Sequence, residues 1–275
     1  MCSLVGCIMG AAYEMRFLKM ENIVLGTEYL VMDQGTSEGT QDKYYKDGIW
    51  YKADRFGGEG QNEALISELL NISNLNADEY VMYREIMING EKGCMSTSFL
   101  TGQEECVSFY RLHQNVKGSD IATMFERMDF DDQAEYILDF LSRETDINRE
   151  GLESYLGRLF RLDYLTLNDD RHMNNICLIF TGSGYRLAPV FDNGKSFFCG
   201  NKQFDPVLSL SDNVKKVHFR PFTASIEMMI DRFPTKLSFD RQRLEAKLSQ
   251  WEDQKAEILR MRMDEAAELG FVELK

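Results

Sequence analysis

The sequence predicts an α+β fold in two lobes, a β-rich first lobe and a helical second lobe meeting near residue 115. Three observations carry this reading. Before residue 115 the apolar residues fall in short runs separated by turn residues such as Asp47-Gly48, as in paired strands. After it they recur at helical spacing behind capping aspartates such as Asp120 and Asp132. All four prolines (Pro189, Pro206, Pro221, Pro234) fall in the last third, beyond the strands and the middle helices.

Taken in order, residues 1–20 form an N-terminal segment of uncertain role, residues 21–115 the first lobe and residues 116–275 the second. Asn22–Leu25 and Glu28–Met32 are short strand candidates, followed by a Gly/Ser/Thr-rich turn over residues 33–40. Lys43–Tyr45 and Ile49–Ala53 form a hairpin across Lys46-Asp47-Gly48. Glu59–Ile72 has helical spacing through Leu65, Leu69, Leu70 and Ile72. Strand-like runs follow at Tyr80–Met87, Met95–Leu100 and Val107–Leu112. The second lobe opens with a helix capped by Ser119 or Asp120 and running to Met128, then one from Asp131 or Asp132 to Arg143. A third helix, Arg149–Leu165, buries Leu152, Tyr155, Leu156, Leu159, Phe160 and Leu162. Phe239–Leu269 reads as helical throughout.

Composition excludes several function classes. The chain is 275 residues long with a net charge of -14, against the positive surface that general nucleic-acid or anionic-membrane binders need. The basic group Lys215, Lys216, His218 and Arg220 reads as a solvated loop. No stretch reaches the ~20 apolar residues of a membrane span, and the opening run lacks a basic n-region. The six cysteines show no CxxC pair, and the three histidines are too dispersed for a zinc site. Reduced thiols in a cytoplasmic protein are the expectation.

The chemistry is concentrated in Leu167–Ile179, where Asp170-Arg171-His172 is followed by Asn175. A short strand, a Thr181–Gly184 turn and a second strand then lead to Phe191-Asp192-Asn193-Gly194. Two carboxylates and an amide therefore flank one tight hairpin. Phosphoryl transfer asks for such a set: one carboxylate orients the attacking hydroxyl, while the amide and the other carboxylate hold Mg²⁺ on nucleotide phosphates. Asp170 and Asn175 lie five positions apart, as the base and amide do in protein kinases, and Asp192 follows one hairpin later. Asp169 is the rival base. His172 is a loop hydrogen-bonding residue rather than a general acid, and is grouped with the nucleotide-binding residues. In the first lobe Lys52 ends a strand, and Glu63 on the next helix could pair with it; Glu68 is the alternative, on another face.

On these residues the chain resembles the kinase domain of the HipA family of bacterial toxin kinases. Ser37–Lys43, Asp47–Lys52 and Asn62–Leu65 resemble that family's glycine-containing loop, lysine strand and following helix. Asp170–Asn175 and Ala188–Asp192 resemble its catalytic and metal motifs. The resemblance implies a bilobal protein-kinase-like fold and an ATP- and Mg²⁺-dependent serine/threonine kinase. Catalytic roles would fall to Asp170, Lys52 and Glu63. Nucleotide contacts would come from Gly39, Thr40, Gln41, Lys43, Lys52 and His172, and metal ligation from Asn175 and Asp192. It also implies a protein substrate, an antitoxin partner, and autophosphorylation in the phosphate-covering loop, where Thr36 and Ser37 are the available hydroxyls. The family's best-known members carry an extra N-terminal domain, and this chain begins almost at the glycine loop. Asp170-Arg171-His172 with Asn175 also resembles the lipid-kinase branch, so a small-molecule or lipid kinase stays open, as does a pseudokinase-like nucleotide-binding module.

Overall fold

The computed structural model describes residues 20–31, 41–251 and 254–275. Its first sheet has the order β1 (Asn22–Ile23), β4 (Arg84–Ile88), β5 (Glu91–Thr97), β3 (Ile49–Ala53) and β2 (Lys43–Lys46). Two hairpins set its register. Asp47-Gly48 joins β2 to β3 and Asn89-Gly90 joins β4 to β5, all four residues at positive φ, as tight hairpin turns require. The Asn89-Gly90 turn also explains why the strands run past Met87 and begin again at Glu91, where sequence reading expected Tyr80–Met87 and Met95–Leu100. Tyr80 and Val81 are drawn off instead to Val190: Val81 N–H donates to the Val190 carbonyl at 3.0 Å.

Alternation then separates two faces of the sheet. Leu25, Tyr51, Ile86 and Ile88 pack on one face. On the other, Lys52 lies opposite Cys94 in the ladder, beneath α1 (Glu59–Leu70). Gly60 of α1 touches the sheet so closely that a Cβ there would fall 2.4 Å from the Gly93 carbonyl carbon.

Three expectations need correction. Over its described part, Glu28–Val31, the run expected to reach Met32 is not a strand: Thr27–Tyr29 forms a single 3-10 turn, and Leu30 keeps only an isolated bridge to Tyr44. Val107–Leu112 is cut short because the Ser108 hydroxyl accepts from Arg111 N–H and starts α2 (Phe109–Lys117) after β6 (Glu105–Ser108). The helical tail is two helices. Phe239 belongs to β9 (Ser238–Phe239), Asp240 caps α8 (Arg241–Leu248), and buried Trp251 precedes α9 (Gln254–Glu268).

The remaining helices are α3 (Ile121–Phe125), α4 (Phe130–Thr145), α5 (Arg149–Thr166), α6 (Leu210–Val214) and α7 (Ile226–Arg232). Asp129, two residues before the nearer of the expected caps Asp131 and Asp132, caps α4. A second sheet of β6, β7 (Cys177–Phe180) and β8 (Tyr185–Leu187) carries the hairpin foreseen after Asn175. At the end of the chain β10 (Glu273–Leu274) pairs with β9 in parallel. One large core runs from Leu65, Ile66, Leu69 and Leu70 of α1 through α4, α5 and α7 to α9, so α1 is packed into the helical lobe as well as onto the sheet. Each fully buried Leu or Ile in it contributes roughly 1.5–3 kcal/mol. No described helix is long and apolar enough to cross a membrane.

Candidate active site

Lys52 is where the elements converge. Its Nζ donates to Glu63 Oε1 at 2.8 Å, to Asp192 Oδ1 at 3.0 Å and to Tyr83 Oη at 3.4 Å. Strand alternation on β3 aims it at α1, and α1 carries Glu63 on its sheet-facing turn. The second Glu63 oxygen accepts from Asn193 N–H at 2.9 Å, so one carboxylate bridges the lysine and the Asp192 loop. Glu68 is elsewhere, paired with Lys247 at 3.2 Å.

Charge explains the protonation states. Burial works against the Lys52 ammonium, but Asp192 and Glu63 outweigh it and hold its pKa well above the ordinary value. Burial likewise opposes ionisation of Asp192, and Lys52, Lys43 and Arg171 together overcome it, leaving the carboxyl well below the usual range. Asp192 stands at a positive φ of 62°, a conformation uncommon outside glycine.

The catalytic-loop motif is built from below. Leu167 ends α5 in the left-handed region and turns the chain into Asn168-Asp169-Asp170. Arg171, fully buried, donates to both Asp163 oxygens at 3.1 and 3.0 Å, to Asn193 Oδ1 at 2.6 Å and to the Phe191 carbonyl at 3.2 Å. Asn168 Nδ2 donates to Asp163 as well, and Asp170 N–H donates to Asn168 Oδ1 at 3.2 Å. The loop is thereby tied to α5 on one side and to the Asp192 segment on the other.

Asp170 and Asn175 are brought together: Asn175 Nδ2 donates to the Asp170 carbonyl at 2.8 Å, which turns its Oδ1 into the remaining acceptor. Burial raises the Asp170 carboxyl above its ordinary range and Asp192 adds to this, while His172, Arg220 and Lys195 oppose it. Asp169 is engaged differently, accepting from Asn201 Nδ2 at 2.6 Å. The His172 backbone shapes the loop, donating to Asp170 and accepting from Asn175 N–H, each at 2.8 Å.

Asp192 and Asn175 offer a carboxylate and an amide oxygen, hard donors of the kind Mg²⁺ takes beside nucleotide phosphates. Among the described residues no group of three or more His, Cys, Asp or Glu forms a self-sufficient metal site. Lys43, opposite Lys52 in the β2–β3 ladder, lends positive charge to Asp192, and Gln41 lies in the bend before β2. Gly39, Thr40, Thr36 and Ser37 lie outside the described residues.

Sequence reading gave no role to Asp163, Asn193, Tyr83, Asn201 or Arg220. Asp163 had a signal: it falls three and four residues after Phe160 and Leu159, an acid on an apolar helix face. The others depend on contacts that no local pattern announces.

No protein-family model and no curated protein matches the chain. Among solved structures it is similar to the Helicobacter pylori proinflammatory kinase CtkA, with a TM-score of 0.59 at 15% identity, covering 90% of this chain and 94% of that one. A structure of HipA from Shewanella oneidensis MR-1, with HipB and its operator DNA, aligns at a TM-score of 0.42 and 14% identity over 89% of this chain and 55% of that one. The bilobal, protein-kinase-like α+β fold expected from the motifs is the fold of this chain.

Proposed function

We propose that this chain is an ATP-dependent kinase that transfers the γ-phosphate to a serine or threonine hydroxyl of a protein. The observation that carries the reading is the Lys52 ammonium held at 2.8 Å from Glu63 and 3.0 Å from Asp192, with Asp170 and Asn175 on the adjoining loop. The fold shared with a kinase supports it.

In this reading Lys52, kept charged by its two carboxylates, binds nucleotide phosphates. Asp192 and Asn175 would hold Mg²⁺, which when bound neutralises charge on those phosphates. Asp170 orients the acceptor hydroxyl and takes up its proton at a carboxylate oxygen, a task its raised pKa favours. Arg220 and Lys195 lend positive charge on the same side. An antitoxin-like partner follows from the motif resemblance and belongs to this proposal.

The test is incubation with Mg-ATP labelled at the γ-phosphate, alone and with protein acceptors, beside Asp192→Ala. Label on the chain or an acceptor, lost in the variant by a factor of about 10² or more, is the expected result. Consumption of ATP that needs Asp192 and a metabolite extract, without protein labelling, would make it a small-molecule kinase. Binding of ATP without turnover would make it a nucleotide-binding module.

A further inference from the structure

Two thiols in the site have no part in that chemistry. In the β6–β7 ladder Cys106 lies opposite Ile179, and Ser108 lies opposite Cys177. The two cysteines are therefore diagonal neighbours on one face. Cys177 Sγ donates to the Asn174 carbonyl at 3.3 Å. Both are free thiols; Cys177 is buried and Cys106 half-buried. Around them pack Ile179, Ala188, Phe99, Leu100 and Phe191. Cys177 stands two residues beyond Asn175, and Phe191 directly precedes Asp192. The pair thus packs beside the two segments proposed to hold metal and phosphate, through Cys177 on the Asn175 side and Phe191 on the Asp192 side.

We propose that Cys106 and Cys177 are a modification site for hydroperoxides, closing to a disulfide that disables the nucleotide cleft and reopening under a dithiol. The disabling rests on the ATP-binding reading; the disulfide does not. The partly exposed Cys106 thiolate attacks a peroxide oxygen: an S–O bond forms, the O–O bond breaks, and the peroxide leaves reduced as alcohol or water. The Cys177 sulfur then attacks the Cys106 sulfenic acid. The S–S bond forms, the S–O bond breaks, and the hydroxyl departs as water with the Cys177 proton. Two thiols and one hydroperoxide give one disulfide, one alcohol and one water.

Geometry supplies the switch. A relaxed disulfide wants Cα atoms about 4.4–6.8 Å apart, whereas diagonal cross-strand neighbours commonly stand about 7–8 Å apart. Closure therefore shears β6 against β7. Because β7 begins two residues after Asn175, the displacement reaches the loop that carries that amide. The same strain makes the bond easy to reduce.

The experiment treats the full chain with hydrogen peroxide, maps the cysteines by peptide mass spectrometry, and measures ATP affinity before oxidation, after it, and after dithiothreitol. Wild type should lose two hydrogens in a Cys106–Cys177 link, and its affinity should fall roughly tenfold or more and recover on reduction. Cys106→Ser, and separately Cys177→Ala, should show no change in affinity on oxidation relative to their own reduced forms. Oxidation of Cys106 to the sulfinic acid without a link, or a link to another cysteine, overturns the proposal. A correct link with unchanged affinity overturns its gating half. If reduced wild type binds no ATP, the kinase reading fails, and the mass map still judges the thiol pair.

Discussion

The Lys52 ammonium does two jobs that a single substitution separates. It neutralises two carboxylates and faces the cleft. Lys52→Met removes the charge and leaves Glu63 and Asp192 facing each other in a buried setting. Stability at pH 7 should fall by roughly 3–5 kcal/mol, toward the lower end because Asp192 is partly open. The pH dependence has a sign. Asp192 in the wild type titrates below its unfolded value, so its contribution is present above about pH 4 and is lost only as pH falls further toward the folded pKa. In the variant that carboxyl loses its main counter-charge. The gap between the two proteins should be widest near neutrality and narrow towards pH 4 as the unpaired carboxylates take up protons. Urea titrations at pH 7 and near pH 4.5 check this; a constant gap would mean that Lys52 acts through packing.

At the scale of elements, helix α1 is set by contact distance. A methyl at Gly60 would meet the Gly93 backbone, which cannot swing aside, so Gly60→Ala must push α1 off the sheet. A methyl at Gly58, two residues earlier, would sit 3.6 Å from the Cys199 sulfur, an ordinary contact. Gly60→Ala should cost about 1–3 kcal/mol and lower the rate of phosphate transfer by moving Glu63 from Lys52, while Gly58→Ala leaves both nearly unchanged. Thermal unfolding and the labelling assay together would read the contrast, and equal effects would sink the argument. Elements were legible in the sequence where a local signal fixed them. Asp47-Gly48 announced its hairpin, and Asp120 and the apolar stripe of α5 announced their helices. Errors came where a short polar side chain outvoted an apolar run: Ser108 turned a strand into a helix start, and Asp240 started the tail helix only after Phe239. Propensity over a window does not weigh one hydrogen bond heavily enough to find such points.

Across the whole molecule, the groups of the candidate site come from three distant stretches, and a buried ion pair joins two of them to the core. Arg171 spans Asp163 on α5 and the Phe191–Asn193 segment. Arg171→Met should strand Asp163 as an uncompensated buried charge and destabilise the chain by roughly 3–5 kcal/mol. Asp163→Leu in the same chain should recover part of the loss, because an apolar pair no longer leaves a charge behind. A denaturation series over the two singles and the double tests this, and purely additive losses would count against it. The sequence showed Asp170, Asn175 and Asp192 through their spacing, and Lys52 with Glu63 through strand and helix phase. It could not show the scaffold beneath them. Asp163 and Arg171 find each other through the turn at Leu167, whose left-handed backbone nothing in its residue type suggests.

The helix that carries Glu63 is held at both ends and along its length. Leu65, Ile66, Leu69 and Leu70 belong to the helical core, Glu68 meets Lys247, and Gln61 meets Lys255. Just beyond its end, Asn74 N–H donates to the Ser238 carbonyl. A helix anchored in this way has no cheap swing available, since outward rotation would have to unpack the core of the other lobe. Engagement of Lys52 by Glu63 is then a standing condition rather than an event. If such a protein is to be silenced, the control must fall elsewhere than on this helix, because its placement is already settled when the chain folds.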